Sequence, residues 1–429
     1  MFNAKNLKNI FWMALERMTS IVGGIVITIL TARYLGPEKV GVISFSLALI
    51  AIINPIGQLG SNATIFNRIA KKKSSGIFLI ETSGMIRKLL YLISSIFCYA
   101  YASHLGLQGE NMIVLLVILI SGYFSSIDIL KYYYDGLLKS KISTLSSQAG
   151  LFSSLILRFL FVKIEASYIF FTLPYLINSF LPFILRLSSY RRDTSVVHIK
   201  DVIRKTPSLK SKYIKYMFSS GVPIVISSLS VVIYQKTSQI VLANYVDMQN
   251  VGILNAGLTL ANGWTFIPVV IMTSLVASLL KENKDINMGF SRILILCVFV
   301  SLPIVFLLFL FGSWIIENTY GNDFIGVVNI FNYLILASFF SVIGVVTSRY
   351  IILKGGHNFL MIKTISMAIL NIIMSLYIIP KYGLHGAVIT ILITEIISST
   401  LANYLYVKLE IFRLHFIWPM KFLYRGLAC

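Results

Sequence analysis

Residues 293–314 read Ile293-Leu294-Ile295-Leu296-Cys297-Val298-Phe299-Val300-Ser301-Leu302-Pro303-Ile304-Val305-Phe306-Leu307-Leu308-Phe309-Leu310-Phe311-Gly312-Ser313-Trp314, and none of them is charged. As a helix, such a run is about 33 Å long at 1.5 Å per residue, enough to cross a hydrocarbon layer of roughly 30 Å. Eleven more runs of this character lie at 11–35, 40–60, 89–107, 112–130, 144–162, 168–187, 221–245, 252–280, 327–353, 359–379 and 384–407. In lipid every backbone N–H and C=O needs an internal partner, and these runs lack the alternation of barrel strands. The expected fold is therefore all-α, a polytopic membrane protein with about 12 transmembrane helices.

Composition agrees. The chain is 57% hydrophobic and 12% charged, with a mean hydropathy of +0.83; soluble domains carry about twice that share of charge. The net charge of +21 does not signal nucleic acid, because the basic residues sit in short clusters between apolar runs rather than on one soluble face. Cys98, Cys297 and Cys429 are too scattered for a metal site or a disulfide framework. The first run follows Lys5 and Lys8 and is long, so it reads as a retained span rather than a cleaved signal.

Lys and Arg set the orientation. With the N-terminus in the cytoplasm, 30 of the 37 fall in inward segments, four (Arg33, Lys39, Lys163 and Lys381) lie outward, and Arg17, Arg158 and Lys236 fall inside spans. That bias implies an even number of spans and two cytoplasmic termini. The expected organisation is an N-terminal six-helix lobe at 1–187, a basic linker at 188–216, a C-terminal six-helix lobe at 217–407 and a tail at 408–429.

The halves carry a faint repeat. A shift of 211 residues lays Ala32-Arg33-Tyr34-Leu35 on Ala243-Asn244-Tyr245-Val246, and Val40-Gly41 on Val251-Gly252; a shift of 215 lays Leu138-Lys139 on Leu353-Lys354. Six spans per half make the repeat parallel, with a pseudo-twofold along the membrane normal. Transporters so built place a site between their halves and rock around it.

The stretch Thr31-Ala32-Arg33-Tyr34-Leu35-Gly36-Pro37-Glu38-Lys39-Val40-Gly41 resembles the end of the first span in bacterial polysaccharide transporters, A-R-Y-L-G-P-x-x-[YF]-G, with Val40 in place of the usual aromatic. These are the O-antigen (Wzx-type) flippases of the multidrug/oligosaccharidyl-lipid/polysaccharide (MOP) exporter superfamily. The resemblance implies a V-shaped transporter in the inner membrane that flips an undecaprenyl-pyrophosphate-linked oligosaccharide from the cytoplasmic to the periplasmic leaflet by alternating access. Its implied partners are that lipid-linked oligosaccharide, membrane lipids and other polysaccharide-assembly membrane proteins. It names no sugar.

Charges inside the membrane cost a few kcal/mol each and are candidates for function. Glu16 and Arg17 lie about two turns into the first span; Arg17 either faces a wet cavity or snorkels to the interface. Lys236 lies deep in the seventh span within Tyr234-Gln235-Lys236-Thr237-Ser238-Gln239, a polar run expected to face an aqueous cavity. Lys236 is the leading candidate to attract pyrophosphate, with Gln235 beside it. Arg158 in the fifth span serves the cavity or snorkels. Asn54, Pro55 and Gln58 put polar and helix-breaking groups into the second span, and Ser227, Ser228, Ser230, Gln235 and Asn262 offer hydrogen bonds to sugar. Asp128 and Glu395 are the candidate ion-coupling carboxylates. The plainer expectation pairs Asp128 with Lys131 on one helix, and Glu395 with a cation in its own lobe.

No cofactor is expected beyond coupling to a proton or sodium gradient. The sequence has no G-x-x-x-x-G-K-[ST] pattern for nucleotide hydrolysis. A drug exporter or a lipid II flippase of the same superfamily is the nearest rival. A membrane polymerase or glycosyltransferase fits less well, since the outward loops are short and D-x-D is absent. The expectation is a transporter, not an enzyme.

Overall fold

The computed structural model describes residues 4–193, 207–281 and 285–417; within these, the side chains at 4–18, 20–22, 27, 207–209, 277, 280, 281 and 408 lie outside that description. Among the described residues all regular structure is helical: α1 (Ala4–Gln58), α2 (Ser61–Lys71), α3 (Lys73–His104), α4 (Glu110–Ile127), α5 (Leu130–Gly136), α6 (Ser140–Lys163), α7 (Leu173–Arg191), α8 (Pro207–Tyr245), α9 (Met248–Asn262), α10 (Phe266–Lys281), α11 (Ile286–Thr319), α12 (Gly326–Leu353) and α13 (His357–Ser399), with short turns after Thr400.

Eight helical segments are long and apolar enough to cross a membrane, and the bent pair α9–α10 makes a ninth. Two of the eight each hold two expected spans. In α1 the helix is interrupted at Gly36 (φ 77°, ψ 168°), and in α13 at Gly383 (φ 55°, ψ −130°). Both backbones sit at positive φ, where glycine alone is at ease. With those two counted double and α3 added for its apolar half from Leu89, the described residues hold all twelve expected spans.

The eighth run, expected to be continuous over 252–280, is broken. Helix α9 stops at Asn262, α10 starts at Phe266, and the two are bent by 42°. Pro268 lacks an N–H and crowds the carbonyl four residues before it, so a single straight helix through Trp264 is disfavoured.

Gly36 and Pro37 show what the first-span motif does structurally. Gly36 makes the turn and Pro37 opens the next helix, where its missing N–H costs nothing. Tyr34 stacks on Phe171 at 5.1 Å and donates its hydroxyl to the Ala166 carbonyl, while Tyr168 donates to the Lys39 carbonyl. The motif thus ties the turn between the first two spans to the turn before α7. The break at Gly36 and the helix start capped by Asp247 stand 211 residues apart, the offset of the sequence match.

By packing, the chain falls into two compact units, residues 1–236 and 237–429. This boundary lies inside α8 and not in the basic segment 188–216, of which 194–206 lie outside the described residues. The reason is local: the first turns of α8 bury Met217 and pack Tyr213, Tyr216 and Val225 on an apolar cluster of α2, α3 and α5 built from Leu59, Ile65, Ile69, Ile77, Leu79 and Tyr133. In the first unit α6 packs on α7, and α1 on α4 and α6; in the second, α12 packs on α11 and α13.

Candidate functional site

The first unit has a polar cavity of about 250 Å³ between the end of the second span and α8, lined by Ala51, Asn54, Pro55, Gln58, Gly60, Asn62, Val225, Ser228 and Val232. Its walls follow from local chemistry. Pro55 in α1 takes away the N–H that would bond the Ala51 carbonyl. The chain then turns through left-handed Leu59 (φ 47°) and Gly60 (φ 64°) into α2. Gly60 lies against Gly221 of α8 so closely that a Cβ on Gly60 would come within 2.7 Å of the Gly221 carbonyl oxygen. Arg68 lies 4.0 Å over the Tyr216 ring and holds the same seam. α8 is clamped to the elbow at Leu59–Gly60, and the cavity opens beyond the clamp.

None of the lining side chains is charged. Asn54 Oδ1 is buried without a hydrogen-bond partner. A buried amide oxygen left unpaired costs on the order of 1–3 kcal/mol, and this one has no surface open to the cavity.

Lys236 stands on the same helix face. Val225, Ser228 and Val232 are followed one turn on by Lys236, eleven residues or about three turns from Val225 and roughly 6 Å along the axis from Val232. Lys236 is half-buried and Gln235 exposed. The polar run does not face one cavity, however. Thr237, Ser238 and Gln239 are buried. Ser238 hydroxyl meets Ser375 hydroxyl at 3.3 Å, and Gln239 Nε2 donates to Asn255 Oδ1 at 3.5 Å, both within the second unit. Six consecutive residues sweep about 500° around a helix, so such a run serves two environments.

The other expected site residues are dispersed. Glu16 and Arg17 have side chains outside the described residues. Arg158 is buried and lies 4.1 Å over the Tyr175 ring of α7, a contact inside the first unit. Glu395 acts electrostatically on Lys363, which donates to the Ser398 carbonyl at 3.3 Å and to Asn403 Oδ1 at 3.0 Å.

Asp128 has a partner beyond its expected local one. Helix α4 ends at Ile127 and α5 begins at Leu130, so Asp128 and Lys131 do not share a helix. The Asp128 carboxylate accepts from Arg186 of α7, which also donates to the Ser143 carbonyl at 2.9 Å and to Ser147 hydroxyl, while Lys131 acts on Asp128 electrostatically. Arg186 counted as a loop residue in the sequence; its position on the last turns of the sixth span, facing the end of the fourth, was the signal. Asn62 was also missed, because it stands two residues past the second span, where a polar residue looks like ordinary loop.

Residues 6–280 match the family described as "Polysaccharide biosynthesis protein". No curated protein sequence matches the chain. Among solved structures, the chain is similar to the lipid II flippase MurJ in an inward closed conformation (18% identity, 98% of this chain and 93% of that one, TM-score 0.70). It is also similar to a multidrug resistance MATE family transporter of the MOP superfamily in an inward-facing conformation (16% identity, 95% and 98%, TM-score 0.68). A third is a MOP superfamily transporter from Pyrococcus furiosus with a binding pocket of reverse polarity (14% identity, 94% and 94%, TM-score 0.52). At these identities the likeness is one of fold: nearly the whole chain has the MOP transporter fold.

Proposed function

Because the chain belongs to the polysaccharide biosynthesis protein family, we propose that it is a flippase that carries an undecaprenyl-pyrophosphate-linked oligosaccharide, the O-antigen repeat unit, from the inner to the outer leaflet of a bacterial inner membrane. The observation that supports this most is the polar cavity around Asn54, with Lys236 one turn further along α8. Neutral hydrogen-bonding groups beside a cation suit a substrate whose sugars and pyrophosphate are adjacent. The MurJ likeness supports the same substrate class, since MurJ is a lipid II flippase. No carboxylate lines the cavity, which speaks against cationic drugs as cargo.

The Lys and Arg distribution supports two cytoplasmic termini. In that orientation Gly60, Gly221 and the cavity would lie toward the leaflet where the substrate is loaded. Outward transfer is assisted by the membrane potential, at about 2.3 kcal/mol per charge per 100 mV. Asp128 and Glu395 are the carboxylates available to couple protons or sodium; their cationic neighbours Arg186 and Lys363 favour structural roles for both.

The test is a deletion strain in which the leaflet holding the lipid-linked repeat unit is followed. Accumulation facing the cytoplasm, reversed by the intact gene, supports a flippase. A unit that still crosses but is not polymerised, or that never forms, makes the protein an enzyme of the pathway instead.

A further inference from the structure

We infer that a second cavity, between α10 and the start of α11, holds the headgroup of a membrane phospholipid that carries a phosphate and a primary ammonium together. The inference goes beyond the flippase reading and does not depend on the cargo. The cavity measures about 410 Å³, within the ~300–1,000 Å³ usual for small-ligand sites, and all of its lining residues belong to the second unit. It is a groove between two helical stripes. Leu275, Ser278 and Leu279 of α10 stand at i, i+3 and i+4. Met288, Arg292 and Leu296 of α11 continue one face from Asp285, the residue that caps that helix. A Cβ on Gly289 would come within 2.2 Å of Leu279 Cδ1, so this glycine sets how closely the two stripes approach.

Depth points to a lipid. The uncharged run of α11 begins at Ile293, and the apolar run through α10 ends at Leu280. Ser278, Asp285 and Arg292 therefore lie at the ends of those runs or just outside them, where hydrocarbon gives way to headgroups. Leu275 and Leu296 lie about one turn further in. A polar rim above an apolar wall matches a headgroup with the first carbons of its acyl chains, and a soluble anion has no use for the wall.

Charge selects the headgroup. The lining holds one cation, Arg292, and one anion, Asp285, both exposed. A guanidinium has five N–H donors in a fork that fits a phosphate, besides any partner within the protein. The Asp285 carboxylate accepts from the Asn287 N–H at 3.0 Å, and with about four lone-pair sites it keeps capacity for a ligand. Arg292 follows Asp285 by two turns, about 10 Å, and a helical side chain reaches back over the turn before its own Cα, which draws the cation toward the anion. An ethanolamine headgroup carries the two opposite charges two methylenes apart. An anionic headgroup meets Asp285 as a like charge, and a choline headgroup has no N–H to give it.

The experiment titrates the full chain in detergent with phosphatidylethanolamine, phosphatidylcholine or phosphatidylglycerol of identical acyl chains, and reads the affinity of the first bound lipid by native mass spectrometry. The variants are Asp285→Asn, which keeps a good helix cap, Arg292→Gln, and Lys139→Gln, which removes an exposed charge from the first unit. The wild type is expected to bind phosphatidylethanolamine roughly three- to fivefold more tightly than either other lipid. Asp285→Asn should bring the three lipids to within about twofold of one another, Arg292→Gln should weaken all three several-fold, and Lys139→Gln should change nothing. Equal binding of the three lipids to the wild type, or a preference for phosphatidylglycerol, would overturn the proposal. So would a preference that survives Asp285→Asn, or a loss in Lys139→Gln as large as that in Arg292→Gln. None of these outcomes bears on the flippase reading.

Discussion

Arg186 on α7 donates to the carboxylate of Asp128 at the break between α4 and α5, and both side chains are more than nine-tenths buried. The pair closes one end of the first unit, where Arg186 also holds Ser143 and Ser147 of α6. Removing one partner strands a buried charge, which costs about 3–5 kcal/mol, whereas replacing both with apolar groups costs far less. Asp128→Leu and Arg186→Leu are each expected to lower the thermal unfolding midpoint in detergent strongly, and the double variant to recover most of the loss. A double variant as unstable as the sum of the singles would show that the two act separately.

The seam at Gly60 and Gly221 gives a second expectation. A side chain at Gly60 is strained by its positive φ and meets the Gly221 carbonyl, so Gly60→Val forces α8 away from the elbow. Substitutions of this kind typically cost 1–3 kcal/mol. Cysteines introduced at Asn62 and Ser228 should then cross-link more slowly than in the parent chain. Unchanged cross-linking would mean the seam has slack that the geometry does not show.

His415 supplies a pH dependence. It lies after the last span, with one ring nitrogen 3.0 Å from Thr347 hydroxyl and the other 3.2 Å from Tyr404 hydroxyl, and burial lowers its pKa to about 4. The unfolded chain, near pH 6.5, therefore binds the proton first. His415 contributes its full stability above about pH 6.5 and loses it as pH falls from there toward 4. The unfolding midpoint of the wild type should drop over that window, and His415→Gln should flatten the drop. Equal pH profiles would remove His415 as the cause.

Lys236 carries the electrostatic part of the site. Lys236→Ala should reduce translocation at least tenfold with the protein still folded, and Lys236→Arg should retain most of it, because the phosphate needs a cation there more than a particular shape. Equal loss in both variants would point to packing instead.

The fold was largely legible in the sequence because the bilayer forces it: apolar runs of span length are helices, and Gly36-Pro37 marks a turn by backbone chemistry alone. The bend after Asn262 was passed over, although Asn262-Gly263 and Pro268 are turn-forming residues inside an otherwise apolar run. The site was legible in kind but not in partnership. Asn54, Gln58 and Ser228 stood out as polar groups in apolar spans, yet nothing in their spacing says that they share one cavity. Asp128 illustrates the limit: sequence proximity suggested Lys131, which does act on it electrostatically, but the hydrogen-bonded partner Arg186 came from 58 residues away. Glu16 and Arg17 stay at the level of the sequence.

The most direct measurement is reconstitution of the purified chain into vesicles carrying an undecaprenyl-pyrophosphate-linked saccharide in the outer leaflet only. Loss of that saccharide from a membrane-impermeant glycosidase is then followed over time. The expected result is a protected fraction that grows with the amount of wild-type protein and barely grows with Lys236→Ala. A protected fraction that is the same in protein-free vesicles would contradict the flippase account at its centre.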